Sequence, residues 1–154
     1  MIGAPIDAAA AERVSAMIAE QDAAARLAIG PALTTLLPRY RSLWDVTTSS
    51  AERRRISAEN WEVNGDYRDS MTDSLSPAAL VTHIEETILP LLGAYTLTLI
   101  DRPRFHGRFV TFAWAFLDRA GSIAPIAGAA GVDFVTVSAD AKLAQIVGFF
   151  DDEM

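Results

Sequence analysis

Val132-Asp133-Phe134-Val135-Thr136-Val137 reads as the clearest strand in the chain. It is built of β-branched and aromatic residues, with Gly128 and Gly131 before it and Ser138-Ala139-Asp140 after it. Side chains alternate along a strand, so Asp133 shares a face with Val135 and Val137, while Val132, Phe134 and Thr136 take the other. On either face a carboxyl group sits in apolar company. Such a group must find hydrogen bonds, stay protonated, or face a cavity. The sequence therefore predicts a pocket built over this acid.

Outward from that strand, the C-terminal half has a period of two. Thr96-Leu97-Thr98-Leu99-Ile100 is a strand, and Arg108 to Leu117 is a longer one with Val110, Phe112, Trp114 and Phe116 on one face. Leu143 to Phe150 completes the sheet after a turn near Ala139 to Lys142. The N-terminal half reads as helices. Asp7 to Ile29 is alanine-rich, with Val14, Met17, Ile18, Gln21 and Ala25 on one face, and Gly30-Pro31 is expected to end it. The expected role is a packing or dimer-contact helix.

Leu33, Leu36, Leu37, Tyr40, Leu43 and Trp44 mark a second helix, with Pro38 in its first turn or at a kink. Tyr40 then faces inward. Ser49 with Glu52 three residues on is a capping box that starts a short helix to about Asn60. Arg53, Arg54 and Arg55 are expected on a solvated face. Trp61 to Met71 reads as a loop, an Asn64-Gly65 turn and a strand with Tyr67 and Asp69 on one face. Ser76-Pro77 opens a helix carrying Leu80, Ile84, Ile88 and Leu92. Helices first and antiparallel strands later make the class α+β, a strongly bent mixed or antiparallel sheet wrapped around helices as a conical half-barrel.

Composition narrows the function. The chain has 154 residues, is 51% hydrophobic and 21% charged, and carries a formal charge of −7. That suits a globular protein, expected as residues 31–154 with a helical extension over 1–30. Acidity argues against nucleic acid and anionic membrane as partners. With no cysteine, and with His83 and His106 the sole histidines, no metal site is expected. No signal peptide or membrane span is visible, so a cytoplasmic protein is the default.

The order of these elements resembles the SnoaL-like branch of the nuclear-transport-factor-2-like superfamily, which includes ketosteroid isomerase and polyketide cyclases. Tyr40-Arg41-Ser42-Leu43-Trp44, Trp61 through Tyr67-Arg68-Asp69, His106-Gly107-Arg108-Phe109 with Trp114, Gly131 to Val135 and Ile146 to Phe150 carry the resemblance. It implies a pocket at the open end of a cone and a homodimer formed through the sheet. Laid against ketosteroid isomerase, Tyr40 matches the oxyanion-hole tyrosine, Asp69 the general base and Asp133 the protonated acid. Trp44, Tyr67, Phe112, Trp114, Phe116, Val135 and Phe150 are the expected substrate-binding residues. Such a trio suits removal of a proton beside a carbonyl, with neutral donors for the enolate oxygen. Ketosteroid isomerase is the standing example of an aspartic acid kept neutral for that purpose.

Departures from the family are Ser70, where proline often follows the base position, and Ala141, where glycine usually stands. The resemblance thus implies a cofactor-free isomerase or cyclase acting on an apolar carbonyl compound. The alternatives are a non-catalytic carrier of an apolar ligand and a dimeric interaction scaffold. A hydrolase using two aspartates and an arginine ranks lower, because Arg108 and Arg119 read as strand ends.

Overall fold

The computed structural model describes residues 3–151, with backbone alone described for Ala25, Leu27 and Phe105. The helix α1 spans Ala8–Leu43, and Asp7 caps it by accepting from the backbone N–H of Ala9. Gly30-Pro31 does not end a first helix as expected. The helix runs straight through the boundary expected at residue 30, with Pro31 and Pro38 both inside it. Both prolines sit on the solvent side. The stripe Ile29, Leu33, Leu36, Leu37, Tyr40, Leu43 and Trp44 is buried beneath them. That burial holds the helix across positions where propensity alone would break it. Farther toward the N-terminus, Val14, Met17 and Ile18 are exposed, so the expected packing face is uncovered in the single chain.

The helix α2 (Ser50–Asn60) starts where expected, with the Ser49 hydroxyl accepting from the N–H of Glu52 at 3.2 Å. Its arginines do not form one solvated face. Arg53 is buried and donates to three main-chain carbonyls, Leu43, Asp45 and Thr48, each at 2.7 Å. The Leu43 carbonyl is an orphan at the end of α1 and those of Asp45 and Thr48 lie just past it, where carbonyl oxygens attract a cation. Arg54 is exposed, and Arg55 lies between Glu52 and Glu59.

Strand β1 (Trp61–Arg68) follows α2 directly. Asn64-Gly65 is not a turn but part of this strand, whose pairing shifts register between Trp61 and Asp66. Gly65 is required there by space, since a Cβ would lie 2.7 Å from the Trp61 ring. Helix α3 (Pro77–His83) opens on the Ser76 cap. A π-helical turn, Ile84–Ile88, then leads into the short α4 (Leu89–Leu92). Leu80, Ile84, Ile88 and Leu92 are buried as the spacing predicts.

The remaining strands are β2 (Thr96–Leu99), β3 (Arg104–His106), β4 (Phe109–Leu117), β5 (Ala130–Val137) and β6 (Leu143–Phe150). β3 was not legible in the sequence, because three residues are too few for alternation to register. The sheet is mixed and open, in the order β1-β6-β5-β4-β2, with β3 on β4. β1 runs parallel to β6 and the other pairs are antiparallel. Its inner face packs on α1. Its outer face leaves Phe109, Val132, Phe134 and Phe149 exposed. Ala141 adopts φ 58° in the turn before β6, the left-handed region that glycine enters more readily. Among the described residues no helix is long and apolar enough to cross a membrane.

Removing the Arg53 guanidinium takes a donor from three carbonyls, that of Leu43 buried and those of Asp45 and Thr48 half-buried. Arg53→Met is expected to lower stability by about 3 kcal/mol or more, whereas Arg54→Met at an exposed position should change it by less than about 0.5 kcal/mol. Urea unfolding of the two variants checks this.

Candidate active site

Tyr40 is placed by the buried stripe of α1, which turns its ring under the sheet. The residue is only 1% exposed. Its hydroxyl donates to Oδ2 of Asp133 at 3.1 Å. From β4, the indole N–H of Trp114 donates to Oδ1 of the same carboxyl at 2.9 Å. Asp133, itself 2% exposed, is thus held from a helix and from the neighbouring strand. On β6 a Cβ at Gly148 would come within 3.1 Å of Asp133 Oδ1, so a larger residue there would crowd the carboxyl.

At the end of β1 lies a second hydroxyl–carboxyl pair. The Tyr67 hydroxyl donates to Asp69 Oδ2 at 2.9 Å. Asp69 Oδ1 accepts from the N–H groups of Met71 (2.8 Å) and Thr72 (2.9 Å) and from the Thr72 hydroxyl (3.0 Å). Four donors therefore hold Asp69, with both its oxygens engaged.

Burial pushes the Asp133 carboxyl up to a pKa of about 7, with a small further push from the charge of Asp69. The hydrogen bonds from Trp114 and Tyr40 pull the other way without cancelling that cost. Burial, and next the negative charge of Asp133, hold the Tyr40 and Tyr67 phenols well above the ordinary tyrosine range. Both phenols are therefore neutral donors at any physiological pH.

These groups surround a cavity of about 240 Å³. Of the expected site residues, Tyr40, Trp44, Tyr67, Asp69, Trp114, Phe116, Asp133 and Phe150 line it. Phe112 and Val135 do not. Phe112 stands opposite Asp133 in the sheet with its ring edge-on to Tyr40, 6.3 Å between centroids. Val135 lies in solid core. Both face inward as alternation requires, but facing inward does not distinguish wall from packing. The aromatic walls touch one another edge-on or tilted, Tyr40–Trp44, Trp44–Tyr67, Trp44–Phe116, Trp114–Phe116 and Trp114–Phe150, at 5.9 to 6.1 Å.

Sequence reading missed the remaining wall. The π-helical turn and α4 bring Thr87, Ile88, Leu91 and Leu92 to the cavity, and the connection before β5 brings Ile126 to Gly128. The apolar stripe already signalled Ile88 and Leu92. Nothing local marked Thr87, because the extra residue per turn of a π-helix shifts which side chains face in. The indole N–H of Trp44 is buried without a hydrogen-bond partner. Among the described residues no three histidine, aspartate or glutamate side chains gather as a metal ion would need.

By sequence the chain matches no family model and no curated protein. By structure it is similar to several solved proteins. One is a proposed isomerase of the SnoaL-like family from Agrobacterium tumefaciens, 23% identical with a TM-score of 0.67, the match covering 79% of this chain and 99% of that one. Another is a nuclear-transport-factor-2-like protein of unknown function from Exiguobacterium, 16% identical, TM-score 0.58, covering 77% and 100%. A third is a proposed SnoaL-like polyketide cyclase from Jannaschia, 10% identical, TM-score 0.61, covering 80% and 88%. The chain thus has the fold of the SnoaL-like and nuclear-transport-factor-2-like proteins.

A raised carboxyl pKa has a direct consequence for stability. The folded state holds the Asp133 proton up to a pH of about 7, while the unfolded chain releases it near the ordinary aspartate value of 3.8. Between those values the folded state binds more protons, so stability falls as pH rises and levels off above about 7. The Asp133 share of that fall is on the order of 4 kcal/mol at most. Denaturant unfolding across this range should show the decline in the wild type and a flatter profile in Asp133→Asn.

Proposed function

We propose that this protein is a cofactor-independent proton-transfer enzyme of the isomerase or cyclase type, acting on a small, neutral, apolar carbonyl compound. The observation that carries the reading is Asp133: a buried carboxyl with a pKa of about 7, held by two neutral donors against an aromatic cavity. A group that titrates near the working pH can both take a proton and return it.

The hydrogen bonds favour different roles from those the resemblance implies. Asp69 was expected to be the base, but four donors already engage its two oxygens. Asp133 is the better base. In the proposed reaction it removes the proton from the carbon next to the carbonyl, and the electron pair moves to the carbonyl oxygen. The Trp44 N–H is the donor for that oxygen, while the Tyr40 hydroxyl, whose one proton is engaged by Asp133, holds the base in place. Asp133 then returns the proton to carbon. Asp69 keeps the Tyr67 ring in place as part of the wall.

An internal cavity of about 240 Å³ stands against the reading of a pure interaction scaffold whose interior is filled by its own side chains. An apolar-ligand carrier remains the second reading, and turnover separates the two. Phenylacetone in deuterated buffer should exchange its benzylic hydrogens in the presence of the protein, followed by proton NMR. Asp133→Asn should lose on the order of 100-fold or more of that rate, and Asp69→Asn much less. Binding without exchange in the wild type would leave the carrier.

A homodimer through the outer face of the sheet is part of the same proposal. Phe109 and Phe134 meet there with tilted rings, 5.8 Å between centroids, with Val132 and Phe149 on the same face, and all four are exposed in the single chain. Sedimentation should find a dimer for the wild type and a folded monomer for Phe134→Glu with Phe149→Glu. A wild-type monomer at micromolar concentration would refute it.

A further inference from the structure

We propose that the same cavity accepts an organic ammonium ion, paired with the ionised form of Asp133 and enclosed by the aromatic walls. Three features of the site converge on this ligand class.

The first is charge. Asp69 and Asp133 both line the cavity, and no lysine, arginine or histidine does. The partners of Asp133 are a phenol and an indole, both neutral. A buried carboxylate is normally paired with a cation, and among the described residues no cationic side chain meets this one. An anionic ligand, by contrast, would enter beside two acids with nothing to balance it. The chain as a whole carries −7, which draws cations toward its openings.

The second is the wall. Tyr40, Trp44, Tyr67, Trp114, Phe116 and Phe150 line one cavity and touch in sequence, so several ring faces and edges surround one space. Aromatic cages of this kind hold alkylated ammonium groups through the negative faces of the rings. The third is size and polarity: a cavity of about 240 Å³ with apolar walls suits alkyl or benzyl substituents on the nitrogen.

The ion should bind better as Asp133 ionises. The groups facing that carboxyl are Tyr40 from α1, Tyr67 and Asp69 from the end of β1, and Trp114 from β4. Both phenols stay neutral through the relevant range, while burial brings the Asp133 carboxyl up to about 7.

The test uses benzyltrimethylammonium, whose charge does not change with pH, beside phenylacetone and isobutylbenzene as uncharged molecules of similar size. Calorimetric titration of the full chain should show the ammonium ion binding tighter by about tenfold or more between about pH 5.5 and about pH 8.5. The two uncharged molecules should show no such rise. In Asp133→Asn the ammonium ion should bind weakly at every pH while isobutylbenzene still binds. Ammonium binding no tighter than isobutylbenzene at alkaline pH overturns the proposal, as does a pH gain that survives in Asp133→Asn. The wild-type pH profile decides even if the variant fails to fold. This inference needs no turnover. Ammonium binding without hydrogen exchange in phenylacetone would remove the enzyme and keep the ligand class, and exchange without ammonium binding would do the reverse.

Discussion

One carboxyl group ties the helical layer to the sheet. Asp133 projects from β5 into the buried interior, and its oxygens are met by Tyr40 from α1 and Trp114 from β4. Leaving such a group without donors costs several kcal/mol, far more than one hydrogen bond returns in water. The rotation of α1 about its axis is therefore constrained: Tyr40 must reach Asp133. The position of β4 is constrained likewise, because the Trp114 N–H must reach the other oxygen. Space left beside these groups, which no side chain fills, is the cavity.

A second buried polar group performs a similar service just beyond Tyr40, at the C-terminal end of α1. The Arg53 guanidinium gathers carbonyls from the end of that helix and from the turn that follows, and lies 3.9 Å from Glu85 on the π-helical turn. Ser50 also donates to Glu85. The end of α1, the start of α2 and the cavity wall formed by Thr87 and Ile88 are thus linked through one cation. A buried Arg with satisfied donors is a positional device more than a source of net stability. It sets where Trp44, at the C-terminus of α1, meets the cavity.

The two acids of the cavity have different characters because their surroundings differ, not because their chemistry does. Asp69 is half-buried at a turn, where backbone N–H groups converge on it, and it serves as a local anchor. Asp133 lies on a strand whose own N–H and C=O are spent in the ladder, so only side chains can reach its carboxyl. Burial then dominates and lifts its pKa toward neutrality. A group in that condition is suited to exchange protons or to change partner with pH, and both proposals above rest on it.

Much of this was legible in the chain itself. Alternation placed Asp133 inward with Val135 and Val137, and the i, i+3, i+4 spacing put Tyr40 on the buried stripe. The Ser49 and Ser76 caps were read from residue type alone. These are local signals, set by periodicity and by which side chains can satisfy helix-end N–H groups. Tertiary packing decided the rest. It carried α1 through Gly30-Pro31, because a long buried stripe outweighs the local penalty of proline and glycine. It buried Arg53 while leaving Arg54 exposed, because the carbonyls at the end of α1 lie beside one position of α2. It made Asn64-Gly65 strand rather than turn, and it inserted a π-helical turn that brings Thr87 to the cavity. It also put Phe112 and Val135 in the packing and left Trp44 and Phe150 as wall, a distinction that depends on where two layers fail to meet and that no single stretch of sequence contains.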